Sequence, residues 1–346
     1  MFLRNAWYMA GWSTDFTADK PVAVKMLKEP IVVYRTADGG IAALEDRCCH
    51  RLAPLSVGVV EGDDIRCMYH GIKFAPDGSC TEIPGQDRIS PAVRVKSYPV
   101  QERHACVWVW MGDPKNADES LIPKIHGSDD PFWALGCSTL DIAANAELIC
   151  DNLLDLSHAP FVHAGTFAGA DPESIKLMLA GEAKRELVEL SHGVRAERWQ
   201  LGRTSHIYLG DVATDEHVVS DFVTPGVFTL TITTYTPGVL ERAKDNGGQL
   251  EEPFFMRTTN QMITPIDEHS SKFFFNFGPW AKSAELKEHA FSIAAKAFLE
   301  DKAIIEAQQE MIDQSPDSKM IMLAMDQPVV HYNKIRDRIR VEYAEL

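Results

Sequence analysis

Apolar and polar positions along the first third of the chain fall into short runs separated by turn residues. Ile31-Val32-Val33-Tyr34 leads into Asp38-Gly39-Gly40 and then Ile41-Ala42-Ala43-Leu44, the apolar–turn–apolar order of a hairpin. Phe74-Ala75-Pro76-Asp77-Gly78-Ser79 reads as another turn, and the runs 93–98 and 106–111 read as a further strand pair. No helical period is sustained here. Residues 1–115 are therefore expected to form a small all-β domain, with the polar stretch 113–118 as its boundary and 116–346 as a second domain.

The second part changes character. A helix is expected near 144–159, followed by strands of which 228–235 and 272–277 are the clearest, and then a long helix over 283–313 rich in Ala, Glu, Lys and Leu. Strands followed by a long helix predict an α+β architecture, with the helix packed on one face of an antiparallel sheet. In that helix Phe291, Ala294, Phe298, Ile305 and Ile312 form an apolar stripe, and Asp301 falls on it while Glu300 and Glu306 do not. A carboxylate on a buried face is costly unless it is paired or bound to metal, and Arg336 or Arg340 would be the ion-pair partners.

Composition narrows the function classes. Of 346 residues, 34 are Lys or Arg and 50 are Asp or Glu, a formal net charge of -16. That balance argues against nucleic acid as a partner. No apolar run reaches the roughly 18 residues that span a bilayer, and the N-terminus is too aromatic for a signal peptide. A soluble, cytoplasmic protein is expected. The chain carries neither G-x-G-x-x-G nor G-x-x-x-x-G-K-[ST], so no recognisable dinucleotide or triphosphate site. Its seven cysteines, an odd number, do not suggest a disulfide framework. Cys106 lies in an alternating strand pattern and is expected in the core.

Two clusters of residues carry chemistry. Cys48-Cys49-His50 and Cys67-Met68-Tyr69-His70 each offer a thiolate and an imidazole from a tight loop, with a hairpin-length excursion between. Four S2N2 donors suit tetrahedral zinc or a [2Fe–2S] cluster. Each loop mixes the two donor types, which suits a binuclear cluster whose irons differ in ligands; a structural zinc clip is the alternative, and Cys49 is read as a non-ligand. The second cluster is Asp151 to His163. On a helix Asp151, Asp155 and His158 share a face, and Pro160 is expected to break the helix at Ala159 so that His163 returns toward His158. The bland reading is an amphipathic helix with surface acids.

At these residues the chain resembles the Rieske iron–sulfur family: Cys48-x-His50-Arg51 with Cys67-x-x-His70-Gly71 is similar to the Rieske motif of ring-hydroxylating oxygenases. The resemblance extends to their catalytic domain through Asp151, Asp155, His158 and His163. It implies an N-terminal Rieske [2Fe–2S] domain holding its cluster on Cys48, His50, Cys67 and His70, and a helix-grip-like catalytic domain. There His158 and His163 would bind a mononuclear Fe(II), with Asp301 as the third ligand and Asp326 as its substitute. Asp155 would bridge to a Rieske histidine of a neighbouring subunit, with His70 the candidate, and Asn152 would lie close to the iron. O2 is the implied co-substrate. The opening Arg4-Asn5-Ala6-Trp7-Tyr8 and the run Glu82-Ile83-Pro84-Gly85-Gln86 are similar to the vanillate O-demethylase, dicamba monooxygenase and toluenesulfonate methyl-monooxygenase group. That likeness implies oxidation of an aromatic methyl or methoxy group, with methyl hydroxylation, N-demethylation and ring dihydroxylation by the same iron as alternatives. It also implies an α3 homotrimer and a separate NAD(P)H-dependent reductase carrying flavin and a plant-type [2Fe–2S] centre; the missing nicotinamide motif points to a reductase independently. Arg47, Arg51, Arg66 and Lys73 are expected to form a basic docking face for it. A Rieske electron carrier without oxygenase activity, and a zinc-stabilised small-molecule binder, are the readings from other classes.

Overall fold

The computed structural model describes residues 2–167, 183–204 and 212–344. The chain divides into two compact units, Met1–Ile122 with Thr264–Asp267, and Pro123–Ile263 with Glu268–Leu346.

The first unit is built from ten short strands, β1 (Trp7–Trp12), β2 (Val22–Met26), β3 (Glu29–Arg35), β4 (Ile41–Glu45), β5 (Val59–Glu61), β6 (Asp64–Arg66), β7 (Lys73–Phe74), β8 (Cys80–Glu82), β9 (Val100–Arg103) and β10 (Cys106–Trp110). They form three antiparallel sheets ordered β1-β10-β9, β2-β3-β4 and β5-β6-β7-β8. Val32, Tyr34, Leu44, Ile65 and Phe74 make one core together with Cys48 and Cys67, and Cys106 is fully buried as expected. One pairing differs from the expectation. The run 93–98 lies beside β4, through Glu45 N–H to Lys96 O and Tyr98 N–H to Ala43 O, whereas β10 pairs with β9 and β1. The β9–β10 turn is His104-Ala105, both with positive φ (59° and 55°). A two-residue turn of this kind normally advertises itself with Asn or Gly, and His104-Ala105 carries no such cue to the hairpin.

Among its described residues the second unit holds seven strands, β11 (Gly136–Ile142), β12 (Ala183–Leu190), β13 (Gly193–Thr204), β14 (Ala213–Val223), β15 (Val227–Tyr235), β16 (Phe255–Asp267, whose last four residues belong to the first unit) and β17 (Ser270–Pro279). They form one antiparallel sheet ordered β11-β17-β16-β15-β14-β13-β12. Its helices are α1 (Ala146–Leu154), α2 (Ala159–Val162), α3 (Val239–Asp245), α4 (Lys287–Gln314) and α5 (Gln327–Ala344). This is the expected α+β arrangement. The apolar stripe of α4 lies on β17, where the Phe298 ring sits 4.6 Å from Phe275 and 5.6 Å from Phe273. Gly136 on β11 allows the close approach of Phe291, since a Cβ there would lie 2.6 Å from its ring. The buried residues of α4 are Ala290, Ala294, Ala297, Phe298, Asp301, Ile305 and Gln309, so Asp301 is on the sheet-facing side. Among the described residues no helix is long and apolar enough to cross a membrane.

Candidate metal centres

The two Cys/His loops fold alike because each closes on itself through the same pair of backbone hydrogen bonds. Cys48 N–H donates to Ala53 O (2.9 Å) and Leu52 N–H to Cys48 O (3.0 Å); Cys67 N–H donates to Ile72 O (2.8 Å) and Gly71 N–H to Cys67 O (2.9 Å). Leu52 and Gly71 occupy the same place and both take positive φ, 59° and 76°. The hairpin β5–β6 spans the interval between the loops. Both cysteines are buried, while His50 and His70 are exposed with ring centroids 4.6 Å apart. Burial pushes the Cys48 thiol up to about 11, and the nearby Cys67 adds to the rise. A Cys48 thiol that resists ionisation in this apolar pocket is relieved by a cationic iron that accepts its charge, and with two buried cysteines and two adjacent histidines the donor set fits a [2Fe–2S] cluster. Cys49 is exposed.

The second centre rests on a chain break that the sequence placed wrongly. Helix α1 begins at the Asn145 cap, whose side chain accepts from Glu147 N–H, and ends at Leu154. Asp155 is extended (φ −108°, ψ 93°), and its carboxylate accepts both Ser157 N–H and Ser157 Oγ–H at 2.9 Å. A local carboxylate–backbone contact of this kind competes with helix. The expected continuous helix over 144–159 therefore stops five residues early, and Asp151, Asp155 and His158 do not share one helical face. Pro160 does not break the helix either. Ala159 is helical (φ −54°, ψ −40°) and Pro160 sits in the first turn of α2, where its missing N–H leaves no bond unmade. His158 and His163 bracket that single turn, their rings 5.3 Å apart.

The two imidazoles converge on Asp301. His158 Nε2 lies 3.4 Å and His163 Nε2 3.3 Å from the same oxygen, Asp301 Oδ1, and all three donor atoms fall within 4.8 Å of one another. The outer nitrogens are committed: His158 Nδ1 donates to Asp155 O (2.6 Å) and His163 Nδ1 to Glu300 Oε2 (3.0 Å). With Nδ1 protonated in both neutral rings, two Nε2 lone pairs face one carboxylate oxygen, which is unfavourable unless a proton or a cation lies between. Burial alone would lower the His163 pKa, but its hydrogen bonds to Asp301 and Glu300 outweigh that and raise it. Two imidazoles and one carboxylate are the donor set of a mononuclear Fe(II) with open positions, and these residues fit it. Asn152 Nδ2 donates to Asp301 Oδ1 (3.2 Å), leaving its buried Oδ1 without a partner among the described residues.

Residues 6–99 match the Rieske [2Fe–2S] domain, and residues 142–342 match the Vanillate O-demethylase oxygenase C-terminal domain. The chain belongs to the Rieske oxygenases of the vanillate O-demethylase type. This Rieske oxygenase is 34% identical to the iron–sulfur subunit of a toluene-4-sulfonate monooxygenase system of Comamonas testosteroni, covering 98% of this chain and 97% of that one. It is 32% identical to a vanillate O-demethylase oxygenase subunit of a Pseudomonas species, over 98% and 95% of the two chains. The crystal structure of dicamba monooxygenase bound to dicamba superposes with a TM-score of 0.84 at 26% identity, covering 100% of this chain and 99% of that one. The first two relatives are components of multicomponent systems.

Two alternatives left open for this Rieske oxygenase are answered by the structure, and one expectation, the basic docking face, needs correction. Asp301 does not pair with Arg336 or Arg340, which are held instead by Glu147 (3.3 and 2.9 Å) and Asp337. Asp326 lies outside the three-donor cluster and caps its own short turn through Leu323 N–H. Arg66 and Lys73 are not free positive charge. Arg66 forms ion pairs with Glu61 (2.7 Å) and Glu82 (3.0 Å), Lys73 pairs with the same two acids, and Arg47 pairs with Glu45. Sequence reasoning missed Glu300. It sits off the buried stripe, yet it accepts both His163 Nδ1–H and Thr166 Oγ1–H (2.7 Å); its position directly before Asp301 was the available signal.

Three outcomes follow from this geometry. Gly71→Ala places a side chain at φ 76° with its Cβ 2.8 Å from Pro84 Cγ. It is expected to cost about 1–2 kcal/mol and to lower cluster content, read as visible absorbance per chain. Glu300→Ala is expected to weaken iron binding roughly 10- to 100-fold in a chelator competition, with Glu300→Gln retaining most of the affinity because its carbonyl still accepts from Nδ1. The third concerns Asp151, which burial pushes up to about 6 despite the opposing charge of Arg336. The native state therefore holds this proton more tightly than the unfolded chain, so the group's contribution to stability falls as pH rises from about 4 to above 6. Asp151→Asn is expected to gain about 1–3 kcal/mol at pH 8 and little at pH 4, measured by denaturant unfolding at both.

Proposed function

We propose that this chain is the oxygenase component of a monooxygenase that oxidises a methyl or methoxy group of a substituted aromatic, with O-demethylation as the principal reaction. The reading is carried by the convergence of His158 Nε2 and His163 Nε2 on Asp301 Oδ1. It is supported by the likeness to a vanillate O-demethylase subunit and to dicamba monooxygenase. In this reading residues 1–115 receive electrons through a cluster on Cys48, His50, Cys67 and His70, and residues 116–346 carry His158, His163 and Asp301 as iron ligands. Iron held there supplies O2 activation and insertion of one oxygen atom into a substrate C–H bond. The overall balance is aryl methyl ether, O2, NAD(P)H and a proton to phenol, formaldehyde, water and NAD(P)+.

The chain's own groups prepare that site. Asp155 O and Glu300 fix both imidazoles with Nε2 inward, and Asn152 restrains the Asp301 carboxylate. Asp155, half-buried at the break, is the group proposed to link to His70 of a neighbouring copy. The exposed apolar residues Leu52, Met68 and Tyr69 beside the cluster loops, and Met320 to Leu323 in the second unit, support head-to-tail assembly, which closes into a ring such as an α3 trimer. The electron donor is a separate NAD(P)H-dependent reductase with flavin and a plant-type [2Fe–2S] centre, and the system is assigned to the cytoplasm. Methyl hydroxylation is the second reading, favoured by the likeness to a toluene-4-sulfonate monooxygenase subunit.

The test is turnover of the iron-loaded protein with a generic reductase, NADH and a panel of methoxybenzoates, assaying formaldehyde. One formaldehyde per substrate consumed is expected. A hydroxymethyl product from a methylated substrate with no formaldehyde would replace demethylation by methyl hydroxylation. About two Fe per chain instead of about three would point to an electron carrier.

A further inference from the structure

Which side chains of β16 face the iron-bearing segment follows from its pairings. Asn260 and Asn276 bond through their side chains at 2.8 Å, and both amides donate to His126 O, so they share one face of the sheet. Side chains alternate along a strand, which puts Gln261 on the opposite face with Phe275 and Phe277. That face is the one the helices cover. Phe275 packs on Phe298, and Phe277 stacks on Phe167 at 5.9 Å, whose ring meets that of His163 at 5.5 Å. The row across the sheet agrees: Gln261 stands opposite Phe228 and Phe228 opposite Phe222, which lies against Tyr332 of α5.

Gln261 is 3% exposed there, and its Oε1 is buried with no hydrogen-bond partner among the described residues. Exchanging the two ends of the amide does not repair this. Thr259 Oγ1–H is committed to Asn276 O (2.7 Å), so Thr259 Oγ1 is left to accept, and the Nε2 end of Gln261 faces it at 3.4 Å. Asn152 repeats the pattern at the metal, with Nδ2 held by Asp301 Oδ1 and the buried Oδ1 unmet among the described residues. Buried carbonyl oxygens are nearly always met by a donor.

We infer that Gln261 determines substrate specificity at the iron site: its Oε1 accepts a hydrogen bond from a methyl- or methoxy-bearing aromatic that carries an uncharged donor on the ring, a hydroxyl or an amino N–H. This rests on the proposed oxygenase function and names the recognition group of that same site. Phe275 and Phe277, its neighbours on the same face, suit an aromatic ring, and the amide oxygen orients it. A carboxylate or sulfonate does not answer this oxygen, since an ionised oxyacid offers acceptors alone and would set oxygen against oxygen away from water. Further along the same face of β16, Arg257 is ion-paired with the fully buried Glu216 at 2.9 Å. A ring with a donor turns an unmet acceptor into a bond, and a ring without one leaves it unmet, so both sides of the comparison contribute to the discrimination.

The test uses the iron-loaded protein and a nearly isosteric series of methoxybenzenes whose second substituent is hydroxyl, amino or methyl, in the ortho and para isomers. Equilibrium binding is measured calorimetrically without reductase, and kcat/KM with it, for wild type, Q261M and Q261E. The wild type is expected to bind the hydroxyl or the amino compound about fivefold more tightly than the methyl compound, the usual range for a neutral hydrogen bond. The larger of the two ratios identifies the donor. Q261M, of similar volume and without the acceptor, is expected to bring the ratio close to one through binding and KM, with kcat for the methyl compound little changed. Q261E keeps an acceptor and is expected to keep the preference. A wild type that binds the methyl compound as tightly as both donors in both isomer series, or a Q261M protein that keeps the wild-type ratio, would overturn the assignment. Should Q261M fail to fold, Q261L gives the same comparison. Failure of the oxygenase reading is distinguishable: no oxygenated product would form from any compound, while the binding ratios would still report on Gln261.

Discussion

Two imidazole nitrogens pointing at one carboxylate oxygen form the contact on which the rest of this protein is organised. In the absence of a proton or a cation between them, His158, His163 and Asp301 repel. The surrounding structure nevertheless holds all three in place. The break at Asp155 frees a carbonyl that clamps one ring, Glu300 clamps the other, and Asn152 restrains the carboxylate. Asp301 itself is carried on the face of α4 that Phe298 anchors to β17. An arrangement that is poor for stability and good for a divalent metal is what a binding centre requires, because the free energy withheld in folding is recovered when the ion is bound.

The cluster loops solve a related problem differently. Each is a short closed turn stabilised by its own backbone, so the donor geometry owes little to distant packing. The cysteines reach inward to the apolar core and the histidines outward to solvent. The charges around these loops are largely internal: the Glu61, Glu82, Arg66 and Lys73 quartet ties the strands of one sheet together. A protein of net charge -16 thus keeps Arg47, Arg66 and Lys73 beside these loops occupied in ion pairs within the fold.

Legibility of the chain followed the range of the interactions. The hairpin of β3 and β4, the strand β15 and the long helix were readable because their periodicity and turn residues are local. The β9–β10 hairpin was not, since His104-Ala105 adopts left-handed φ without Gly or Asn to announce it. Around the iron site the donors were legible but their support was not. The placement of Asp301 followed from one buried stripe, whereas Glu300, off that stripe, acquires its role only because α2 lies beside it.

The sequence by itself determined the kinds of donor and their local spacing: Cys and His in paired loops, two histidines five residues apart, an acid on an apolar helix face. These are short-range properties, settled by bond geometry and turn chemistry within a few residues. The tertiary structure alone decided that Asn152 and Asp301, 149 residues apart, meet, and that the helix yields at Asp155 and not at Pro160. Those outcomes depend on which faces of the sheet and helices are buried together, a competition among packing arrangements that no single segment of the chain contains.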